Sequence, residues 1–345
     1  MSFNCASRLL GAFLCTAVLL TAGCGKKSGT PAWSKAPETA AAAPETASKP
    51  KSKPKSKPVK AAVGDPATPE AVGSLRFVGY NLENWLTMER TANGKVQSSR
   101  PKPESEKQAV VAMVARVKPD ILGVCEIGTR EDLADLQSRL KAAGLDLPNI
   151  HYTGGADPTR HLALLSRFPI TRTGTVAKSD YRLEGRTFLI ERGILDATIE
   201  ANGKSYHFLG AHLKSKREVE IADQAQMRQN EARLFRDHVA AVMKAQPEER
   251  LIVYGDLNDT KGSPALKAIE GTYRGEDSLT ALNLKDRQGQ AWTHYWAYED
   301  LYSRIDWILV NQVLKPEVDT EGSRVIDDPI WNQASDHRPV TMLLK

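Results

Sequence analysis

Cysteine is scarce in this 345-residue chain: of four, Cys5, Cys15 and Cys24 crowd the N-terminus and only Cys125 lies beyond them. No disulfide framework is therefore available, and the fold must stand on its apolar core alone. Cys125 sits in an apolar run beside Glu126, with no partner motif for thiol chemistry, and reads as a small buried filler. A Gly-rich phosphate loop, a C-x-x-C pair and an H-E-x-x-H helix are all missing, so nucleotide-loop, thiol-pair and zinc-helix chemistries are not indicated. There is no internal repeat. The N-terminal apolar run, Leu9 to Gly23, is too short for a membrane span and reads as a secretory signal over residues 1–23.

The signal ends in Leu20-Thr21-Ala22-Gly23-Cys24, which resembles a bacterial lipobox with Thr21 where Leu is usual; Cys24 would be the lipidated first residue of the mature protein. Residues 24–74 then turn to Ala, Pro, Lys and Thr around KPKSKPKSKPVK, a composition that cannot build a core. We read them as a tether, extended at about 3.1 Å per residue and able to reach ~100 Å. Nine Lys against four acids put the whole formal +5 in this tether; with Arg8 counted, residues 75–345 carry −1. The body is thus not a generic polyanion binder on charge alone. These features predict an exported protein, anchored through its lipid in the cell envelope. Gly25, in place of the Asp associated with inner-membrane retention, points to the outer membrane.

Residues 75–345 are enough for one large domain. Val110, Met113, Val114 and Val117 repeat at helical spacing after a Ser105-x-x-Gln108 capping box and stop at Pro119; Leu133, Leu136 and Leu140 mark a second helix ended by Gly144. Asp120 to Cys125, HLALLS, GILDATI, YHFLGA, LIVYG, IDWILV and PVTMLL read as strands. The alternation predicts an α/β or α+β sandwich.

Apolar runs end in YN-L-E (Asn81, Glu83), GVCE (Glu126), GAHLKSK (His212) and YGDLND (Asp256, Asn258), while Asp306 of SRID opens a strand and Asp336-His337 of SDHRPV immediately precede one. Strands could deliver them to one rim of the core. Carboxylate and amide oxygens suit a hard cation such as Mg²⁺, and Glu126 is the first candidate ligand, with Asn81 and Glu83 on the same side of an extended segment. An Asp orients or deprotonates water while an Asn donates to a phosphate oxygen, and His212 or His337, the latter oriented by Asp306, donates to phosphate or to a leaving group. Lys214, Lys216 and Arg217 follow His212 and could meet a nucleic-acid backbone. The aromatic segment Trp292 to Tyr298, with Trp296 as the candidate contact, could stack unpaired bases or cover a lipid; core packing is the alternative account.

Taken in order, these motifs closely resemble the endonuclease/exonuclease/phosphatase superfamily, the group of pancreatic-type deoxyribonuclease, AP endonucleases, neutral sphingomyelinases and inositol polyphosphate phosphatases. The resemblance runs from about Leu75 onward and implies a four-layer sandwich of two packed mixed β-sheets with helices outside. It implies Mg²⁺ or Mn²⁺ held by Glu126 with Asn81, Asp336 and Glu83, and water and phosphate positioned by Asp256 and Asn258. His337 with Asp306 would act at phosphorus and His212 at the leaving group. AP endonucleases usually lack a His where His212 stands, whereas HLKSK is similar to the corresponding segment of secreted bacterial nucleases. The expectation is a monomeric, cell-envelope nuclease, with a phosphatase or lipid phosphodiesterase on the same site, or a tethered non-catalytic binding module, as alternatives.

Overall fold

Apolar runs without polar alternation, such as those ending at Glu126 and Asp256, make strands that must be covered on both faces. A computed structural model, describing residues 74–92 and 95–345, shows how they are covered. The expected signal segment, Cys24 and the tether up to residue 73 lie outside the described residues.

Twelve strands form two large sheets: Leu75–Trp85 (β1), Ile121–Ile127 (β2), Asn149–Thr153 (β3), His161–Ser166 (β4), Ile170–Thr173 (β5), Ile194–Ala201 (β6), Lys204–His212 (β7), Arg250–Asp256 (β8), Thr280–Ala281 (β9), Asp306–Val310 (β10), Val318–Val325 (β11) and Val340–Leu344 (β12). The first sheet runs β11-β12-β1-β2-β4-β3 and the second β9-β10-β8-β7-β6-β5. Each is antiparallel except for one central parallel pair, β1 with β2 and β7 with β8. A parallel pair needs a long crossover, supplied by α1 (Glu104–Val117) in the first case and α3 (Gln224–Ala245) in the second.

Phe77, Leu164, Phe208, Tyr254, Ile308 and Met342 meet between the sheets, with Cys125 buried among them. On the outer face of the first sheet, Val78, Tyr80 and Leu122 pack on α1 and on α2 (Arg130–Ala142). On that of the second, Leu209, Val253 and Leu309 pack on α3 and on α4 (Pro264–Glu270). The result is the four-layer mixed sandwich expected. Tyr254 fixes the fit between the sheets: its ring meets Phe77 edge-on at 4.8 Å and lies over Gly123, where a Cβ would stand 2.3 Å from it.

One local expectation is corrected. The Ser105 capping box does not form: α1 begins at Glu104 after Pro103, which has no side chain to cap it, and Gln108 Nε2 donates instead to Glu104 Oε1 at 3.2 Å. The capping box belongs to α2, where Thr129 and Asp132 satisfy each other's backbone N–H groups. Among the described residues no helix is long and apolar enough to cross a membrane.

Gly255, between Tyr254 and Asp256, has φ 136°, and a Cβ there would stand 1.9 Å from the Ala211 carbonyl oxygen. Strand β8 therefore reaches the rim only with glycine at this position. Gly255→Ala should cost about 3 kcal/mol or more of stability; thermal unfolding checks it, and an unchanged midpoint would show that the strand accommodates the methyl group.

Candidate active site

The carboxyl ends of both parallel pairs open at the same rim, the position at which α/β sheets commonly hold ligands. Glu126 stands near the end of β2, and His212 and Asp256 end β7 and β8. Register aligns His212 with Asp256 and Asp256 with Asp306, setting three site side chains in a row across neighbouring strands. Asn81, from the other sheet, completes the rim: its Nδ2 donates to Asp256 Oδ2 at 3.0 Å and to Glu126 Oε1 at 3.3 Å, and its Oδ1 accepts the Glu83 N–H at 3.0 Å. The Asn84 N–H reaches Glu126 Oε2 at 2.9 Å.

Glu83, Asn84, Glu126 and Asn258 have φ of 48°, 61°, 62° and 51°, a left-handed backbone that non-glycine residues adopt at some cost. That strain is held by the surrounding bonds. Asp256 Oδ1, for instance, accepts the Asn258 N–H at 2.9 Å, and Asn258 Nδ2 donates to the Leu213 carbonyl at 2.9 Å.

His337 enters from the loop before β12. Its Nδ1 is 2.8 Å from Asp306 Oδ2, and its Nε2 is 3.8 Å from both Asp256 Oδ2 and Asp336 Oδ1. Ser335 Oγ donates to the Asn81 carbonyl at 2.9 Å and accepts the His337 N–H at 3.0 Å. His212 Nε2 lies 3.6 Å from Asp256 Oδ2 and 3.9 Å from Glu126 Oε1.

Opposite shifts divide these groups. Burial, then the neighbouring Asp306, pushes the Asp256 carboxyl up to about 7. Burial alone would lower His337, but Asp306, Asp256 and Asp336 outweigh it and hold the imidazole well above its ordinary range. Burial, with Arg192, His337 and Arg160 nearby, holds His212 well below it. The surroundings of His337 thus favour the charged imidazole and those of His212 the neutral one.

The four expected metal ligands are sorted into different places. Glu126 and Asn81 are together, whereas the Glu83 carboxylate lies 4.0 Å from the buried Lys102 ammonium. Asp336 stands between two histidines, Oδ1 near His337 and Oδ2 3.8 Å from His294 Nε2. Among the described residues, the ligand atoms close enough to share an ion are those of Asp256, Asp306 and His337 and those of His294, Asp336 and His337.

The expected substrate residues fare differently. Lys214 is buried, its ammonium 2.9 Å from Glu191 Oε1, and it therefore does not offer the surface cation expected of it. Lys216 is exposed, 3.5 Å from Asp259. Trp296 is 49% exposed on a hairpin, His294–Trp296 with Leu301–Ser303, that is bridged to His337 through His294. Sequence reasoning placed His294 only in the aromatic segment, not beside His337, and missed Thr293 and Ser335. Thr293, fully buried, accepts the Ile305 and Asp306 N–H groups on Oγ1, each at 3.1 Å. The polar pair Thr293-His294 inside an aromatic run was the available signal.

The family model "Endonuclease/Exonuclease/phosphatase family" matches residues 92–337. The chain belongs to this family. It is accordingly a hydrolase of phosphoric esters, from a divalent-metal-dependent group. No curated protein matches significantly. Among solved structures, truncated TDP2 from Caenorhabditis elegans is 16% identical, with TM-score 0.52 over 79% of this chain and 97% of that one. The human Nocturnin catalytic domain with bound sulfate is 15% identical, with TM-score 0.55 over 79% and 94%. Sphingomyelinase C from Streptomyces griseocarneus is 16% identical, with TM-score 0.51 over 79% and 99%. At these identities the likeness is one of fold.

A carboxyl raised on folding destabilises the protein as pH rises from its unfolded value, near 4, toward 7, because the folded state must then hold the charge at increasing cost. In chelator, Asp256→Asn should therefore gain on wild type across that window, by up to about 4 kcal/mol. Urea unfolding at a series of pH values measures this; a pH-independent difference would show that Asp256 titrates normally.

Proposed function

We propose that this protein is a metal-dependent phosphodiesterase of the cell envelope, with nucleic acid as its substrate. The observation that carries the chemistry is His337, fixed by Asp306 and aimed across Asp256. Two buried carboxylates, Asp256 and Asp306, stand beside Glu126 with one charged imidazole among them. That surplus of negative charge fits a divalent cation, Mg²⁺ or Mn²⁺. Glu126 and Asn81 would hold it as oxygen ligands, and when bound it neutralises charge on a phosphate oxygen.

The chain's own groups supply the rest. Asp256, poised near neutral pH, takes a proton from the attacking water. Asp306 orients the His337 ring by accepting from Nδ1–H, so that Nε2–H faces the phosphoryl group and donates to a non-bridging oxygen. Asn258 spends one N–H on Leu213 and turns its second toward phosphate. His212 donates a hydrogen bond to the departing oxygen, which takes its proton from solvent as the P–O bond breaks.

Nucleic acid is supported by the exposed Trp296 and Tyr298 of the hairpin whose His294 bridges His337, which offer flat faces to unpaired bases, and by exposed Lys216 and Arg217 after His212. A lipid-headgroup diester is the second reading, favoured by exposed Leu301 and Tyr302 on the same hairpin. The lipid-modified Cys24 and the tether complete the proposal: a monomer held at the envelope, toward the outer membrane.

Purified protein should nick plasmid and cut single-stranded oligonucleotides with Mg²⁺ or Mn²⁺. EDTA should abolish cleavage, and His337→Ala should lower it about 10³-fold. Hydrolysis of sphingomyelin without cleavage of nucleic acid would transfer the assignment to lipid, and a folded protein inert on every diester would overturn it.

A further inference from the structure

His294 is not needed for the hydrolysis described above, yet it is built into the same rim. Its backbone bridges that of His337, the Tyr295 N–H donates to the Asp336 carbonyl at 2.9 Å, and the Arg338 N–H donates to the Thr293 carbonyl at 2.6 Å. Two chain segments are thereby fastened side by side. The His294 and His337 rings lie 4.6 Å apart at 50°, and both Nε2 atoms face Asp336, each 3.8 Å from one of its carboxylate oxygens. All three ligand atoms fall within 4.8 Å of one another.

The far side of each ring is also occupied. His337 Nδ1 is held by Asp306 at 2.8 Å and His294 Nδ1 faces Ser303 Oγ at 3.4 Å. This is the outer arrangement that fixes metal-ligating histidines, with Nδ1 engaged and Nε2 presented. Tetrahedral ligation at roughly 2.0–2.2 Å from an ion places donor atoms about 3.4 Å apart, so closing the set from within 4.8 Å draws the donors together by up to about 1.4 Å, shared among the side chains. Nitrogen donors of this kind select a borderline ion such as Zn²⁺ or Co²⁺ over Mg²⁺, which prefers oxygen.

We propose that His294, Asp336 and His337 form a second cation site, specific for a transition ion such as Zn²⁺, whose occupation switches hydrolysis off. The ion takes the lone pair of His337 Nε2 and displaces its proton to solvent. That nitrogen then has no N–H to donate to phosphate. The binding half rests on the geometry alone; the inhibitory half rests on the role given to His337 above.

The test uses the full chain. Zn²⁺ titration by calorimetry and the visible absorption of added Co²⁺ report binding, and hydrolysis of bis(p-nitrophenyl) phosphate in Mg²⁺ with rising Zn²⁺ reports inhibition. Ser303→Ala should weaken Zn²⁺ binding about tenfold, and His294→Gln about 100-fold or more with loss of the Co²⁺ band. His294→Gln should keep Mg²⁺-supported turnover and become resistant to Zn²⁺. Unchanged Zn²⁺ affinity in His294→Gln, with an unchanged melting temperature, would overturn the site. Binding that depends on His294 but leaves turnover untouched would keep the site and refute the role of His337 at phosphorus. Binding without hydrolysis of any diester would keep the site and overturn the proposed function instead.

Discussion

The hydrogen bond from Asn81 to Asp256 ties the two sheets together where chemistry occurs. Apolar contact between packed sheets is strong but has little direction, and by itself it would hold the rims only loosely in line. A buried amide donating to a buried carboxylate has one satisfactory geometry, and leaving either group unpaired there would be costly. The same Asn81 also receives Ser335 through its carbonyl and meets Glu126 through its amide, so β1, β2, β8 and the loop before β12 are set relative to one another by one side chain and its backbone. The strained turns at Glu83, Asn84 and Glu126 persist because these bonds over-determine them.

From that fixed rim follows a separation of charge. His212 and His337 both stand within 4 Å of Asp256, yet burial and cationic neighbours keep one neutral while three carboxylates keep the other charged. Two identical side chains thereby take different parts in the same reaction, a division set by surroundings and not by residue type. Raising Asp256 toward neutrality gives it a basicity that an exposed aspartate lacks.

The strands were legible because their apolar runs are unbroken, and the site was legible because the polar residues stand directly at the ends of these runs, Asp306 and His337 before them and the others after. What the chain did not disclose is pairing across long separations. Lys214 looks like a surface cation beside His212 until Glu191 is seen to neutralise it. Ser105 has the spacing of a cap, but Pro103 and Lys118, the latter with φ 53° at the helix end, define where α1 can run. His294 lay hidden in an aromatic stretch because its significance comes from the hairpin that lays it on His337, and no local pattern encodes that contact. The short hairpins Met88–Ala92 with Lys95–Arg100 and Asp180–Leu183 with Arg186–Leu189 carry too little apolar alternation to announce themselves.

The place of β12 bears on when the protein becomes active during its synthesis. Val340–Leu344 does not sit at a sheet edge; it is inserted between β11 and β1, pairing Leu344 with Leu75. A nascent chain emerging from the ribosome therefore carries Asn81, Glu126 and Asp256 long before the strand that brings in His337 can dock. Through that interval β11 and β1 lack the strand that pairs with both, and the rim lacks His337. A site drawn from strands of both sheets is in this way incomplete until the last-made of its residues has docked, by the order of its strands alone.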